Sequence, residues 1–157
     1  MKVKTIPVTI FEMDDPNELD PTDQQLLSSA LQATSGAYAP YSHFQVGAAV
    51  RLSDGTVVTG SNQENAAFPS GLCAERTALF YAQSQYPLLT VEAVAITARS
   101  QKGQTEEPVH PCGACRQVML ECQVRAAKPI RVIMGGRQKT QMVECVNDLL
   151  PLAFENF

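Results

Sequence analysis

Three cysteines in two separated segments restrict this chain more than any other feature. Cys73 stands ahead of Ala74-Glu75, and Cys112 and Cys115 lie within Pro111-Cys112-Gly113-Ala114-Cys115. Side chains three residues apart at a helix start share one face, so Cys112 and Cys115 can close on one metal ion at about 2.3 Å each. Cys73 belongs to the start of a different helix, so a fold that uses all three must bring two helix starts together. Catalytic zinc takes three protein ligands and leaves the fourth tetrahedral position to water, and Cys73, Cys112 and Cys115 supply three. Helix N-termini lower the pKa of a thiol, which favours the thiolate form that a metal needs. Glu75, two residues past Cys73, can reach a metal-bound water without being a ligand. Zinc brings the pKa of such a water toward about 7, and the carboxylate can take and pass on its proton. Three thiolates leave the site with net negative charge, and Arg76 and Arg116 are placed to offset it by donating hydrogen bonds to the sulfurs.

The other reading of the trio is a structural zinc site, which is closed by a fourth Cys or His. His110, directly before Pro111, is the one residue spaced to provide it. Cys122 and Cys145 read as small buried hydrophobes. Cys122 lies about 10 Å along a continuous helix from Cys115, too far to share its metal.

At 157 residues and 45% hydrophobic, the chain is expected to be a single domain over residues 1–157, with residues 1–19 as an N-terminal extension. The net charge of −4 comes with scattered rather than clustered basic residues, which argues against a nucleic-acid partner. An odd number of cysteines does not make a closed disulfide framework, and a reducing cytoplasm fits best. The N-terminus lacks the apolar core of a signal peptide and no run of about 18 apolar residues exists, so a soluble, intracellular protein without a membrane partner is expected.

Lys2 to Phe11 alternates apolar and polar residues as a strand does, confined by Pro7 to a sheet edge. Asp20 reads as an N-cap with Pro21 in the first helical position, and Leu26, Leu27, Ala30 and Leu31 supply an apolar face until Gly36. Phe44 to Leu52 and Thr56 to Gly60 form a hairpin through Ser53-Asp54-Gly55. Asn62 to Gly71 is a loop, Cys73 to Ser84 a helix and Val91 to Thr97 a strand. Arg99 to Pro108 reads as a solvated loop, Cys112 to about Cys122 as a helix, and Ile130 to Met134 and Thr140 to Val143 as strands. Strands alternating with helices predict an α/β fold, a three-layer α/β/α sandwich around a mixed sheet.

A ligand two residues before a non-ligating Glu, followed by Pro-Cys-x-x-Cys, is the arrangement of zinc deaminases. Further stretches extend the likeness: Tyr41 to Ala49, Gly60 to Ala66, Pro69 to Arg76, Pro111 to Gln117 and Leu149-Leu150-Pro151. In this order they resemble the cytidine deaminases, specifically the small homotetrameric kind with a three-cysteine zinc site. The resemblance implies a five-stranded mixed sheet, one Zn²⁺ per chain and a homotetramer. It implies hydrolytic deamination of cytidine and deoxycytidine in pyrimidine salvage, in which zinc-bound hydroxide attacks C4 of the base and Glu75 shuttles protons. By position, Asn62 and Glu64 would bind the ribose hydroxyls and the Ala74 backbone would meet the pyrimidine carbonyl. Phe44 would line the base pocket, and Phe154 would reach the base from a neighbouring subunit. Phe68 departs from the Tyr that many relatives carry. A deaminase of cytosine-containing antibiotics such as blasticidin S is the alternative, and Asn62-Gln63-Glu64-Asn65, a signature such relatives lack, favours the nucleoside.

Overall fold

The computed structural model describes residues 1–155. Seven strands form one sheet, flanked on one face by one helix and on the other by two. The strands are β1 (Phe11–Met13), β2 (Gln45–Leu52), β3 (Val57–Ser61), β4 (Val91–Ser100), β5 (Gly103–Gln104), β6 (Arg131–Gly135) and β7 (Thr140–Val143); the helices are α1 (Pro21–Ala33), α2 (Ala74–Gln85) and α3 (Gly113–Ala126). The spatial order is β1-β7-β6-β4-β2-β3, with β5 paired to β4. Only β4 and β6 run parallel, joined through α3, and the other pairings are antiparallel. The mixed three-layer class is the one read from the sequence.

The strand count is not five, because two short strands add to the five principal ones. The expected strand over Lys2 to Phe11 is replaced by β1, while residues 1–10 carry no regular structure. Its partner β7 is four residues long and offers a register only to Phe11, Glu12 and Met13. Pro7 has no N–H to contribute to a longer ladder. The expected loop from Arg99 to Pro108 instead begins as the end of β4 and turns back through β5. Beyond it the backbone is tied to the β6–β7 turn, since Arg137 N–H bonds Thr105 O at 2.8 Å and Gln138 N–H bonds Glu106 O at 3.0 Å. Helix α3 also runs past Cys122 to Ala126 and ends where Ala127 takes a left-handed φ of 50°.

Each layer follows from side-chain alternation. Along β2, Ala49 faces α1 with Ala93, Ala95 and Ile133 of β4 and β6, against Leu26 and Ala30. Ala48 and Val50 face the opposite way, into the core shared with α2 and α3, where Ala78, Leu79, Met119 and Leu120 are buried. Strand β4 is covered on both faces and reads as the nearly unbroken apolar run Ala93-Val94-Ala95-Ile96. Small residues let the layers close up. A Cβ on Gly60 of β3 would lie 2.6 Å from Ala78 N and 2.7 Å from Ala74 O, so strand and helix meet backbone to backbone. Among the described residues no helix is long and apolar enough to cross a membrane.

Candidate functional site

Strands β3 and β4 are both antiparallel to β2, so they point the same way. Helix α2 starts beyond the end of β3, α3 starts beyond β4, and both pack on the same face. Their N-termini therefore converge past the C-terminal ends of parallel-running strands, where α/β folds place ligands. Cys73 is the N-cap of α2 and Cys112 the N-cap of α3, neither side chain capping its helix, so both sulfurs are free for another partner. Cys115 sits in the first turn of α3 and is fully buried.

The three sulfurs lie within 4.8 Å of one another. Cys73 Sγ is 3.9 Å from Cys112 Sγ, and Cys112 Sγ is 3.5 Å from Cys115 Sγ. Thiolates bound to tetrahedral zinc at 2.3 Å stand about 3.8 Å apart, so the residues fit that ion. No fourth Cys, His, Asp or Glu joins the cluster among the described residues. His110, the one candidate to close the site, instead places Nε2 2.7 Å from Gln141 Oε1 on β7. The donor set leaves room for an exchangeable position. A hydrogen bond from Cys115 and the Arg76 guanidinium hold the Cys73 thiol down, to about 5, while the same contact with Cys73 and burial push Cys115 up. Cys73 is thus the sulfur prepared as thiolate. Cys122 and Cys145 lie outside the cluster; burial raises the Cys122 thiol to about 11.

Glu75, in the first turn of α2, is only 5% exposed. Burial raises its carboxyl above the ordinary range, the Cys73 thiolate adds to that, and contacts with Cys115 and Arg76 oppose it. A carboxylate whose proton affinity is raised in this way is suited to taking a proton and passing it on. Arg76 donates from Nη2 to Cys73 Sγ at 3.6 Å, as its place in the sequence suggests. Arg116 differs from that expectation. Its Nε donates to Pro111 O at 2.9 Å and its Nη1 to Leu149 O at 2.8 Å, so the guanidinium braces the α3 start against the C-terminal segment.

Beside the thiols opens a cleft of about 540 Å³, lined by Tyr41, Ser42, Asn62, Glu64, Phe68, Cys73 and Arg76 among others. Asn62 and Glu64 lie in the loop that follows β3. Their side chains contact the loop before β2 and the start of β2 itself: Asn62 Nδ2 donates to Phe44 O at 2.9 Å and its Oδ1 accepts Val46 N–H at 2.8 Å. Glu64 Oε2 accepts Tyr41 N–H at 2.9 Å. Phe44, Ala74 and Phe154 are not among the residues that line the cleft. Phe44 is half-buried behind the Asn62 bracket. Ala74 is buried in the first turn of α2, where backbone N–H groups have no helical acceptor. Phe154 is exposed, and its carbonyl accepts from Gln117 Nε2 at 2.7 Å. Phe68, 76% exposed at the mouth, meets Tyr41 edge-on with ring centroids 6.0 Å apart. Ser42 is a cleft residue to which the sequence assigns no role; its signals are its place in the Tyr41 to Ala49 stretch and a hydroxyl two residues ahead of Phe44. A second cavity, about 590 Å³, is lined by Phe11, Arg51 and Arg131 among others and has no part of the thiol cluster.

The chain is similar to known proteins in sequence and in fold. The family profile described as the cytidine and deoxycytidylate deaminase zinc-binding region matches residues 20–129. A cytidine deaminase of Halalkalibacterium halodurans is 47% identical over 131 residues, which is 83% of this chain and 92% of that protein. The crystal structure of cytidine deaminase from Burkholderia pseudomallei superposes with a TM-score of 0.71 at 39% identity, covering 83% of this chain and 97% of that one. Cytidine deaminase from Mycobacterium tuberculosis gives 0.67 at 34% identity, covering 88% and 99%.

Proposed function

Because this chain belongs to the cytidine and deoxycytidylate deaminase family, we propose that it hydrolyses the 4-amino group of cytidine and deoxycytidine, yielding uridine or deoxyuridine and ammonia. One observation carries the reading: three thiols from two converging helix starts meet at zinc-binding distances with a buried carboxylate, Glu75, alongside. Cys73, Cys112 and Cys115 would hold one zinc ion per chain. The ion supplies Lewis acidity that lowers the pKa of a water at the open position toward about 7.

The chain's own groups do the rest. Glu75 takes one proton from the attacking water and delivers it to ring N3, then takes the second from the new C4 hydroxyl and passes it to the departing amine. In sum C4–O forms, C4–N breaks, and one water is consumed for each ammonia released. The Ala74 amide, unclaimed by its helix, would donate to the pyrimidine carbonyl. Asn62 and Glu64 would face the sugar, and Phe44 and Phe154 would flank the base, Phe154 from a neighbouring subunit of a homotetramer. Arg76 offsets thiolate charge at Cys73. A cytoplasmic place in pyrimidine salvage follows from a nucleoside substrate and thiols that must stay reduced, with residues 1–19 an extension of a single catalytic domain.

Ammonia release from cytidine, deoxycytidine, cytosine and blasticidin S tests the substrate, and turnover confined to blasticidin S would reject the nucleoside reading. Glu75→Ala tests the mechanism. It is expected to lower kcat by about 10²–10⁴-fold while zinc content and melting temperature hold; an unchanged kcat would remove Glu75 from the chemistry.

A further inference from the structure

The segment from Ala39 to Phe44 is held in a costly conformation at the rim of the cleft. His43 has φ of 55°, in the left-handed region that a residue with a Cβ enters only when its surroundings impose it. The contacts that impose it come from the loop after β3. Asn62 brackets Phe44 O and Val46 N–H with its carboxamide. Ser42 Oγ accepts Phe44 N–H at 3.1 Å and donates its own proton to Glu64 Oε1. Glu64 Oε2 accepts Tyr41 N–H at 2.9 Å and Ser42 N–H at 3.3 Å.

A serine hydroxyl has one proton, and here it goes to Glu64, leaving the oxygen to receive from Phe44. The chain from the Phe44 amide through Ser42 to the Glu64 carboxylate is therefore directional. The hydrogen bonds from Ser42 and from Tyr41 N–H hold the Glu64 carboxyl below its ordinary range, so it is an anion whenever the enzyme meets substrate. A carboxylate has about four lone-pair positions, and the loop fills all but one of them. What remains accepts a hydroxyl proton, the polarity a sugar can supply.

We propose that Ser42 is a positioning residue that couples sugar recognition at Glu64 to the placement of Phe44 beside the base. The inference rests on reading Glu64 as a sugar-binding group. Loss of the Ser42 hydroxyl frees the Phe44 amide and lets the carboxylate rotate, so sugar and base are no longer read as one unit. A substrate with no hydroxyl for Glu64 gains nothing from that coupling.

The test assays wild type, Ser42→Ala, Ser42→Thr and Glu64→Gln on cytidine and on 2′,3′-dideoxycytidine, with zinc content and melting temperature measured alongside. Ser42→Ala should lower kcat/KM for cytidine about tenfold, mainly through KM, and Ser42→Thr should stay within about threefold of wild type. On the dideoxynucleoside the Ser42→Ala cost should fall below about threefold. Equal losses on both substrates would reduce Ser42 to loop packing and overturn the proposal. So would full cytidine activity in Ser42→Ala beside a damaged Glu64→Gln, an outcome that leaves Glu64 in its role. If Glu64→Gln loses nothing on cytidine, the sugar-binding reading fails and takes the coupling with it. Should Ser42→Ala not fold, Ser42→Cys, with a weaker donor of similar size, carries the same comparison.

Discussion

Arg76 and Arg116 occupy equivalent places in the sequence, each directly after a residue of the zinc-deaminase motif, and the fold uses them differently. Arg76 reaches the Cys73 sulfur, whereas Arg116 spends Nε and Nη1 on the carbonyls of Pro111 and Leu149. Only the return of the C-terminal segment brings the Leu149 carbonyl to Arg116. Gly60 shows the same dependence on a distant neighbour, because its missing side chain is what lets β3 touch the helix that carries Cys73 and Glu75. Both atoms that a Cβ would strike are backbone and cannot swing aside. Gly60→Ala is therefore expected to cost about 2 kcal/mol by overpacking, measured by urea unfolding. Its deaminase activity should fall by up to about 10²-fold, since a shift of about 1 Å in the α2 start misplaces Glu75. Wild-type stability in this variant would show that the sheet and helix can separate freely.

The helices begin in two ways. Helix α1 is capped by Asp20, whose carboxylate accepts Thr22 N–H at 3.1 Å and Asp23 N–H at 3.0 Å. Helices α2 and α3 begin at cysteines that cap nothing, which leaves their first-turn amides without a side-chain cap and their positive dipole ends beside the three sulfurs. Asp20→Ala should cost about 1 kcal/mol, with activity per folded molecule unchanged. The cap also predicts a pH window. Hydrogen bonds from Thr22 and the Asp23 amide lower the Asp20 pKa from 3.8 to about 2. Its folded value is below its unfolded one, so its stabilisation is complete above pH 3.8 and is lost as pH falls through about 2. Denaturation of wild type and Asp20→Asn across that range should converge toward acid; a constant difference would mean that the Asp20 charge has no part in the cap. One turn further, the buried Asp23 carboxylate receives Arg51 at 2.7 Å and Arg131 at 2.5 Å, binding α1 to β2 and β6. Each of these partners lies far away in the chain, which is why a buried ion network is invisible in the helix's own periodicity.

For the molecule as a whole, a zinc ion held by the three thiols would cross-link the α2 and α3 starts. An ion that binds only the folded state stabilises it by mass action, about 4 kcal/mol at a thousand times its dissociation constant. Stripping it with a chelator is expected to lower the melting temperature by roughly 10 °C for a chain of this size, read by calorimetry and reversed by added zinc. A melting temperature indifferent to chelation would remove metal from the account of this cluster. The sheet explains why the three thiols meet there: β3 and β4 run the same way with β2 between them, so the helices that follow emerge side by side on one face.

The sequence by itself determined what is local or carried by a spaced motif. The Asp20-Pro21 helix start, the hairpin around Ser53-Asp54-Gly55 and the pairing of three cysteines with Glu75 are legible because their physics acts over a few residues or through the spacing that one metal ion would demand. The alternating layers of the sheet are legible for the same reason, since a strand's faces repeat every second residue. Tertiary structure decided where reach depends on a distant partner. It limited the N-terminal strand to the three residues that β7 can pair, folded the segment after β4 back as β5, and turned Arg116 toward Leu149. It also joined Ser42 to Glu64. A hydrogen-bonding side chain declares its type in the sequence, but the acceptor it meets is chosen by the packing of elements that the local pattern does not encode.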